Sequence, residues 1–216
     1  MIQARTEILT RIKSALADDR AFDRTEAGPG LPWPEPEFTR EELKAEFARR
    51  WALVGGFFHQ TGSEDELEAV LARIMAGIRN VCLGESALKT VPGLENLLRR
   101  SGIEARPGRP GEAAEAEAGL TGVCLALAYS GTLLVTSREP GDLTASLLPP
   151  LHVALIPVRN LVYGLKEVLH YLNRDGWPRA AVLITGPSRT ADIELNLVQG
   201  VHGPKFVHAV LLDYQT

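Results

Sequence analysis

An α/β fold, a mostly parallel sheet flanked by helices and preceded by a helical arm, is what this sequence predicts. Three observations carry the prediction. Short apolar runs such as NVCL and AAVLIT alternate with segments whose apolar residues recur every three or four positions, the pattern of strands joined by crossover helices. The links between them are short. Residues 20–38 interrupt the pattern with four prolines between Pro29 and Pro36, each lacking a backbone donor and biasing its predecessor toward extended geometry. The chain therefore divides into a helical arm with a Pro-rich linker, residues 1–38, and an α/β domain, residues 39–216.

In the arm, Ile8, Leu9, Ile12 and Leu16 fall at helical spacing and predict a helix over residues 3–18 with one narrow apolar stripe. Such a stripe needs a surface to pack on, in its own domain or in another subunit. Thr39 and Glu42 form a capping box, so a second helix starts at Thr39 and ends near Trp51, and WALVGGFFHQT reads as a strand. Ser63 and Glu66 form another capping box, and Leu67, Val70, Leu71, Ile74 and Ile78 extend a helix from Ser63 to Arg79. NVCLGE is a strand, GLENLLRRSG a helix closed by Gly102, and IEAR a strand. Residues 107–119, rich in Ala and Glu, read as solvated loop or weak helix. VCLALAYSGTLLVTS gives two strands joined by a tight turn at Ser130-Gly131. DLTASLLPP is a loop before a buried strand over 152–156. Asn160 caps a helix carrying Leu161, Val162, Leu165, Val168, Leu169 and Leu172, and AAVLIT and KFVHAVLLD close the chain as strands.

The chain has 216 residues, enough for one large domain with an appended arm. A net charge of −4 argues against a nucleic-acid binder, whose domain is normally basic. Its two cysteines, Cys82 and Cys124, fall short of the about four ligands of a zinc site or an iron–sulfur cluster, so no metal is expected. No apolar stretch approaches the roughly 20 residues of a membrane span, and the amino terminus holds no signal-type apolar segment, so a cytoplasmic protein is expected.

The chemistry concentrates late in the chain. TGPSRTADIE follows the apolar run AAVLIT, and GVHGP comes shortly after it. If AAVLIT is a parallel strand, the turn lies at its carboxyl end, where open α/β sheets bind ligands. Gly186 permits the turn, Pro187 suits a first helical position, and free amides from Ser188 to Thr190 would attract an anion that Arg189 grips bidentately. The bland alternative is that Ser188 caps the turn while Arg189 pairs with Asp192 or Glu194. His202, held between Gly200 and Gly203, titrates near neutrality when unshifted and joins Glu194 and Asp192 as a candidate acid or base. Ser130, Gly131 and Thr132 at the other tight turn complete the candidate ligand site. His170 and His208 are not candidates, and His59 and His152 stay open.

GTLLVTS, LLPPLHVALIP, ITGPSRTADIE and GVHGP, in that order, resemble the lactate-utilisation (LUD) domain family, most closely its small protein C branch. The resemblance covers roughly residues 40–214. It implies a fold similar to the ribose-5-phosphate isomerase and coenzyme-A transferase class. It also implies a role in oxidising L-lactate to pyruvate beside two iron–sulfur proteins, which would carry the clusters this chain lacks. The arm could then clasp a partner or a second subunit. One position departs from the family: an ETGT pattern is frequent there, whereas this chain has Tyr129-Ser130-Gly131-Thr132. A carboxylate able to serve as nucleophile is thus missing, and transferase-type chemistry loses its base. The alternative to an accessory subunit is a self-sufficient enzyme or sensor acting on a sugar phosphate or an acyl-CoA-type ligand.

Overall fold

The computed structural model of the chain describes residues 2–17, 38–174, 176–191, 197–199 and 203–214. It divides into two units, Met1–Glu37 and Phe38–Thr216. The first holds α1 (Ile2–Ala17), on which Ile8 and Leu9 are exposed.

The second unit opens with α2 (Arg40–Leu53), fixed at its start by the expected capping box. The Thr39 hydroxyl accepts the Glu42 amide, and the Glu42 carboxylate accepts the Thr39 amide at 2.8 Å. The helix runs past Trp51 because Phe47 and Trp51, four residues apart, are both fully buried and hold that turn against the core. WAL, expected within a strand, therefore closes the helix, and β1 is only Phe57–Thr61. Next, α3 (Glu64–Ile74) is capped by Ser63 and stops five residues short of Arg79, with Gly77 turning the chain at φ 85°.

Then follow β2 (Asn80–Leu83), α4 (Glu85–Thr90), α5 (Leu94–Arg100), β3 (Glu104–Pro107) and α6 (Pro110–Glu115). The stretch expected as solvated loop ends in a strand, β4 (Ala118–Gly122), all five of whose residues are buried. Its alanine and two glycines mask it from propensity, since both residue types are depleted in strands. After β5 (Leu125–Leu127) and β6 (Thr132–Thr136), the expected loop DLTASLL is a helix, α7 (Asp142–Leu147). Asp142, Ala145 and Ser146 are its buried residues, so its contact face is small and polar rather than greasy. β7 (Leu151–Pro157) precedes β8 (Leu161–Val162).

Asn160 does not cap a helix: its Nδ2 donates to the Val123 carbonyl at 2.9 Å, and α8 (Leu165–Arg174) begins five residues later, where Glu167 accepts the Gly164 amide. The last strands are β9 (Ala181–Ile184), β10 (Arg189–Ala191), β11 (Leu197–Gln199) and β12 (Phe206–Leu212).

Among the described residues, six strands form one sheet in the order β1-β12-β7-β4-β2-β3, and every neighbouring pair is parallel. On one face Leu67, Leu71, Leu94 and Leu98, from α3 and α5, cover Leu120, Val153 and Val210. On the other, Phe47 and Trp51 of α2 and Leu133 and Val135 of β6 pack on Ala154, Ile156, Val207 and Ala209. Each fully buried large apolar side chain contributes about 1.5–3 kcal/mol. A second sheet, ordered β8-β5-β6-β9, pairs β6 antiparallel with β5 and with β9. The run AAVLIT thus belongs to an antiparallel edge and not to the parallel sheet. Of β9 only Ile184 is buried, and Leu183 is exposed on the opposite face.

Candidate functional site

Open α/β sheets bind ligands outside the carboxyl ends of their strands, where successive connections leave in opposite directions. Here that point lies between β2 and β4. From β2 the chain crosses through α4 and α5 to the edge strand β3, whereas from β4 it goes the other way, to β7.

The gap between those two strand ends is filled by side chains. Ser86 Oγ accepts the Gly122 amide at 2.8 Å, and Asp142 Oδ1 accepts the Ser86 amide at 3.2 Å. Asp142 is 2% exposed. Burial pushes its carboxyl up to about 7, reinforced by Glu139 and Glu85 and opposed by the Ser86 hydrogen bonds. It therefore keeps its proton well above the usual carboxylate range.

Beside this plug, over the ends of β2 and β3, a cleft of about 430 Å³ opens between the starts of α4, α5, α6 and α7. Leu83, Leu88 and Pro140 give it apolar surface, extended by Pro107 and Pro110. Its charged lining is Glu85 and Glu95, from α4 and α5, and Arg106 and Arg109, from β3 and the residue before α6. Glu85 is paired with Lys89 at 3.1 Å, and Arg106 with Glu104 at 3.0 Å. Arg109 and Glu95 are exposed and make no ion pair among the described residues. Gly141 and Glu85 line the cleft, and each is next in sequence to a member of the Asp142–Ser86 plug.

The residues singled out in the sequence gather elsewhere. Ser130 Oγ donates to Thr132 Oγ1 at 2.8 Å, and Thr132 Oγ1 lies 2.9 Å from Thr185 Oγ1, so three hydroxyls chain the two turns together. Gly131 (φ 61°) and Gly186 (φ 81°) sit where a Cβ would come within 2.8 Å of the Trp51 amide and 2.6 Å of the Val54 carbonyl. They let both turns close onto the carboxyl end of α2. Pro187 does not start a helix. Arg189 and Thr190 lie in β10, which pairs antiparallel with β11, and the Ser188 amide donates to the Pro204 carbonyl at 2.9 Å. The Ser188 amide is thus engaged, and pairing with β11 points the Arg189 and Thr190 amides in opposite directions rather than toward one anion.

Gly203 meets the Ser188 side chain, and the Arg189 guanidinium reaches Gly55, which leads into β1. This assembly sits near the amino ends of β7, β12 and β1, opposite the end expected. Thr132 is buried, and Tyr129, half exposed, lies under the Arg50 guanidinium at 5.5 Å. The candidate acids and bases His202, Glu194 and Asp192 lie outside the described residues.

Of the histidines left open, His59 Nε2 and His208 Nδ1 are 2.9 Å apart, with rings stacked at 5.2 Å. Burial holds His208 down to about 4. His152 is fully buried, bonded to Thr121 at 2.9 Å and held down to about 3 by burial. All three are neutral at pH 7. Cys82 is buried, and its thiol is pushed up to about 11. Cys124 lies 3.5 Å from Thr136 Oγ1. Two such thiols do not supply a cluster's ligands, and among the described residues no group of three or more His, Cys, Asp or Glu could hold a metal ion.

Sequence reasoning missed Asp142, Glu95, Arg106 and Arg109. Asp142 follows Gly141 at the start of a segment read as loop, and PGRPGE was set aside as surface. The one usable signal was the position of both segments after predicted strands.

Comparison with known proteins places this architecture. The LUD domain matches residues 45–212. The chain belongs to the LUD domain family. It is 40% identical over 127 residues to lactate utilization protein C of Anoxybacillus flavithermus, covering 56% of this chain and 58% of that one. The chain thus spans little more than half of that relative. A protein of the same name from Deinococcus radiodurans is 30% identical over 216 residues, covering 97% and 96%. The crystal structure of a DUF162 family protein from Deinococcus radiodurans superposes with a TM-score of 0.63 at 21% identity, over 82% of this LUD chain and all of the other, a likeness of fold. No helix among the described residues is long and apolar enough to cross a membrane.

Proposed function

We propose that this LUD protein is a component of an L-lactate utilisation system in the cytoplasm. It acts beside iron–sulfur proteins that oxidise lactate to pyruvate, and its cleft over β2 and β3 accepts an anionic ligand. The observation that carries the reading is the end-to-end relationship, 30% identity over 97% of the chain, to a relative named for lactate utilisation. Oxidation of lactate removes two electrons and two protons at carbon 2. Its two cysteines fall short of the about four ligands of an iron–sulfur cluster, which supports the reading that partners receive those electrons. What the chain itself offers is a cleft at the ligand-binding end of a parallel sheet, lined by the Arg109 guanidinium, which makes no ion pair among the described residues.

Deletion of the gene in its native cell is expected to abolish growth on L-lactate and spare growth on pyruvate. Affinity purification from lactate-grown cells should bring down iron–sulfur proteins. Unimpaired growth on lactate, together with purification of the chain alone, overturns the proposal.

A further inference from the structure

We infer that the cleft over β2 and β3 binds a nucleoside monophosphate, with the base on its apolar surface, the ribose diol at Glu95 and the phosphate at Arg109. The inference rests on the reading of this cleft as the chain's anion-accepting site, and it names the ligand class.

Size decides first. Lactate is a six-heavy-atom anion, whereas a space of about 430 Å³ falls within the roughly 300–1,000 Å³ of sites built for cofactor-sized ligands. Lining chemistry decides next. A three-carbon carboxylate or a sugar phosphate has no use for the leucine and proline surface of Leu83, Leu88, Pro107 and Pro140, whereas a flat heterocycle covers it. Glu95, which has no cationic partner among the described residues, is an acceptor suited to a vicinal diol, the pairing that parallel-sheet nucleotide sites use at a strand's carboxyl end. Arg109 presents a fork that matches two phosphate oxygens, and Arg106, three residues earlier in sequence, also lines the cleft. A lining that holds apolar surface, acidic groups and arginines from different elements matches a ligand that is neutral and planar in its middle and anionic at one end only.

The test is isothermal titration of the full-length protein with AMP, adenosine, ribose 5-phosphate, inorganic phosphate and L-lactate. AMP is expected to bind most tightly, with adenosine and ribose 5-phosphate each weaker by tenfold or more, on the order of one lost charge-assisted or stacking contact. Arg109→Ala should weaken AMP about tenfold and leave adenosine unchanged. Glu95→Gln should weaken AMP and leave 2′,3′-dideoxy-AMP unchanged. Both side chains are exposed, so neither variant threatens folding.

Ribose 5-phosphate binding as tightly as AMP, with Arg109 still required, overturns the nucleotide and retains the anion-accepting cleft. AMP binding that ignores both substitutions overturns the placement. Absence of heat with AMP, ribose 5-phosphate, phosphate and lactate alike removes the nucleotide and the anion-accepting cleft together, while leaving the growth phenotype as an independent measure of the lactate role.

Discussion

Gly119 shows how little room the middle of the sheet leaves around the candidate site. A Cβ built on it would lie 1.9 Å from the Ala145 carbonyl oxygen and 2.7 Å from its carbon, both backbone atoms of α7. Backbone cannot swing aside as a side-chain tip can, so the helix itself would have to move away from β4. Gly119→Ala is expected to cost at least about 2 kcal/mol, in the range of core overpacking. Because Asp142 sits in the first turn of α7, the same shift loosens its contact with Ser86. Urea unfolding measures the stability loss, and a variant within about 0.5 kcal/mol of the parent would contradict the packing. The hydroxyl chain of Ser130, Thr132 and Thr185 is of another kind. It ties turns whose residues the sequence had marked as chemical, and its hydroxyls are spent on one another.

Elements that announce themselves through local physics were legible. Thr39 and Ser63 are the N-caps of α2 and α3 as expected, because a cap is a contact between positions three apart, although the reciprocal box closes only at Thr39 and the Glu66 carboxylate accepts the Gly62 amide instead of that of Ser63. Thr39→Ala removes the side-chain acceptor of the Glu42 amide and is expected to lower stability by about 1 kcal/mol, a few degrees in Tm for a domain of this size. An unchanged Tm would mean that tertiary packing of Phe47 and Trp51 alone sets the helix start. Elements defined by distant partners were not legible. AGLTG became the central strand β4 because β2 and β7 flank it, and DLTASL became α7 because Gly119 offers it a flat seat; neither carries the apolar periodicity that reading along the chain detects. AAVLIT was correctly a strand in the wrong sheet, since nothing local distinguishes a parallel neighbour from an antiparallel one. TGPSRTADIE, expected to cap a parallel strand, follows that antiparallel edge strand instead, and the cleft over the carboxyl ends of β2 and β3 is lined by Glu95 of α5, Arg106 of β3 and Arg109 before α6, which nothing local distinguishes from ordinary surface charge.

At the scale of the whole molecule, buried titratable groups of opposite kind set how stability depends on pH. Asp142, near 3.9 in the unfolded chain and about 7 in the fold, keeps its proton natively after the unfolded chain has lost it. Its contribution is complete below about pH 4 and is lost as pH rises to 7, at about 1.4 kcal/mol per pH unit. His208 and His152, held down to about 4 and about 3 by burial, act in the opposite sense. Their contribution is complete above about pH 6.5, their unfolded value, and is lost as the pH falls toward 4 and 3. His59, lowered by burial and by the Arg73 charge, adds to that acid limb. Between pH 5 and 6.5 two strongly shifted histidines outweigh one carboxyl, so stability rises. Above pH 6.5 the last histidine protons of the unfolded chain and the native carboxyl proton leave together and nearly cancel, so the gain tapers off. A thermal-melting series from pH 5 to 8 is therefore expected to rise to about pH 7 and then level. Asp142→Asn removes the opposing carboxyl and steepens the acid limb. His208→Gln leaves His152 against Asp142 and makes the limb from 5 to 6.5 shallower. An Asp142→Asn variant whose profile from pH 5 to 7 is no steeper than the parent's would show that the carboxyl beneath the cleft is ionised at neutral pH and that the plug between β2 and β4 is open to water.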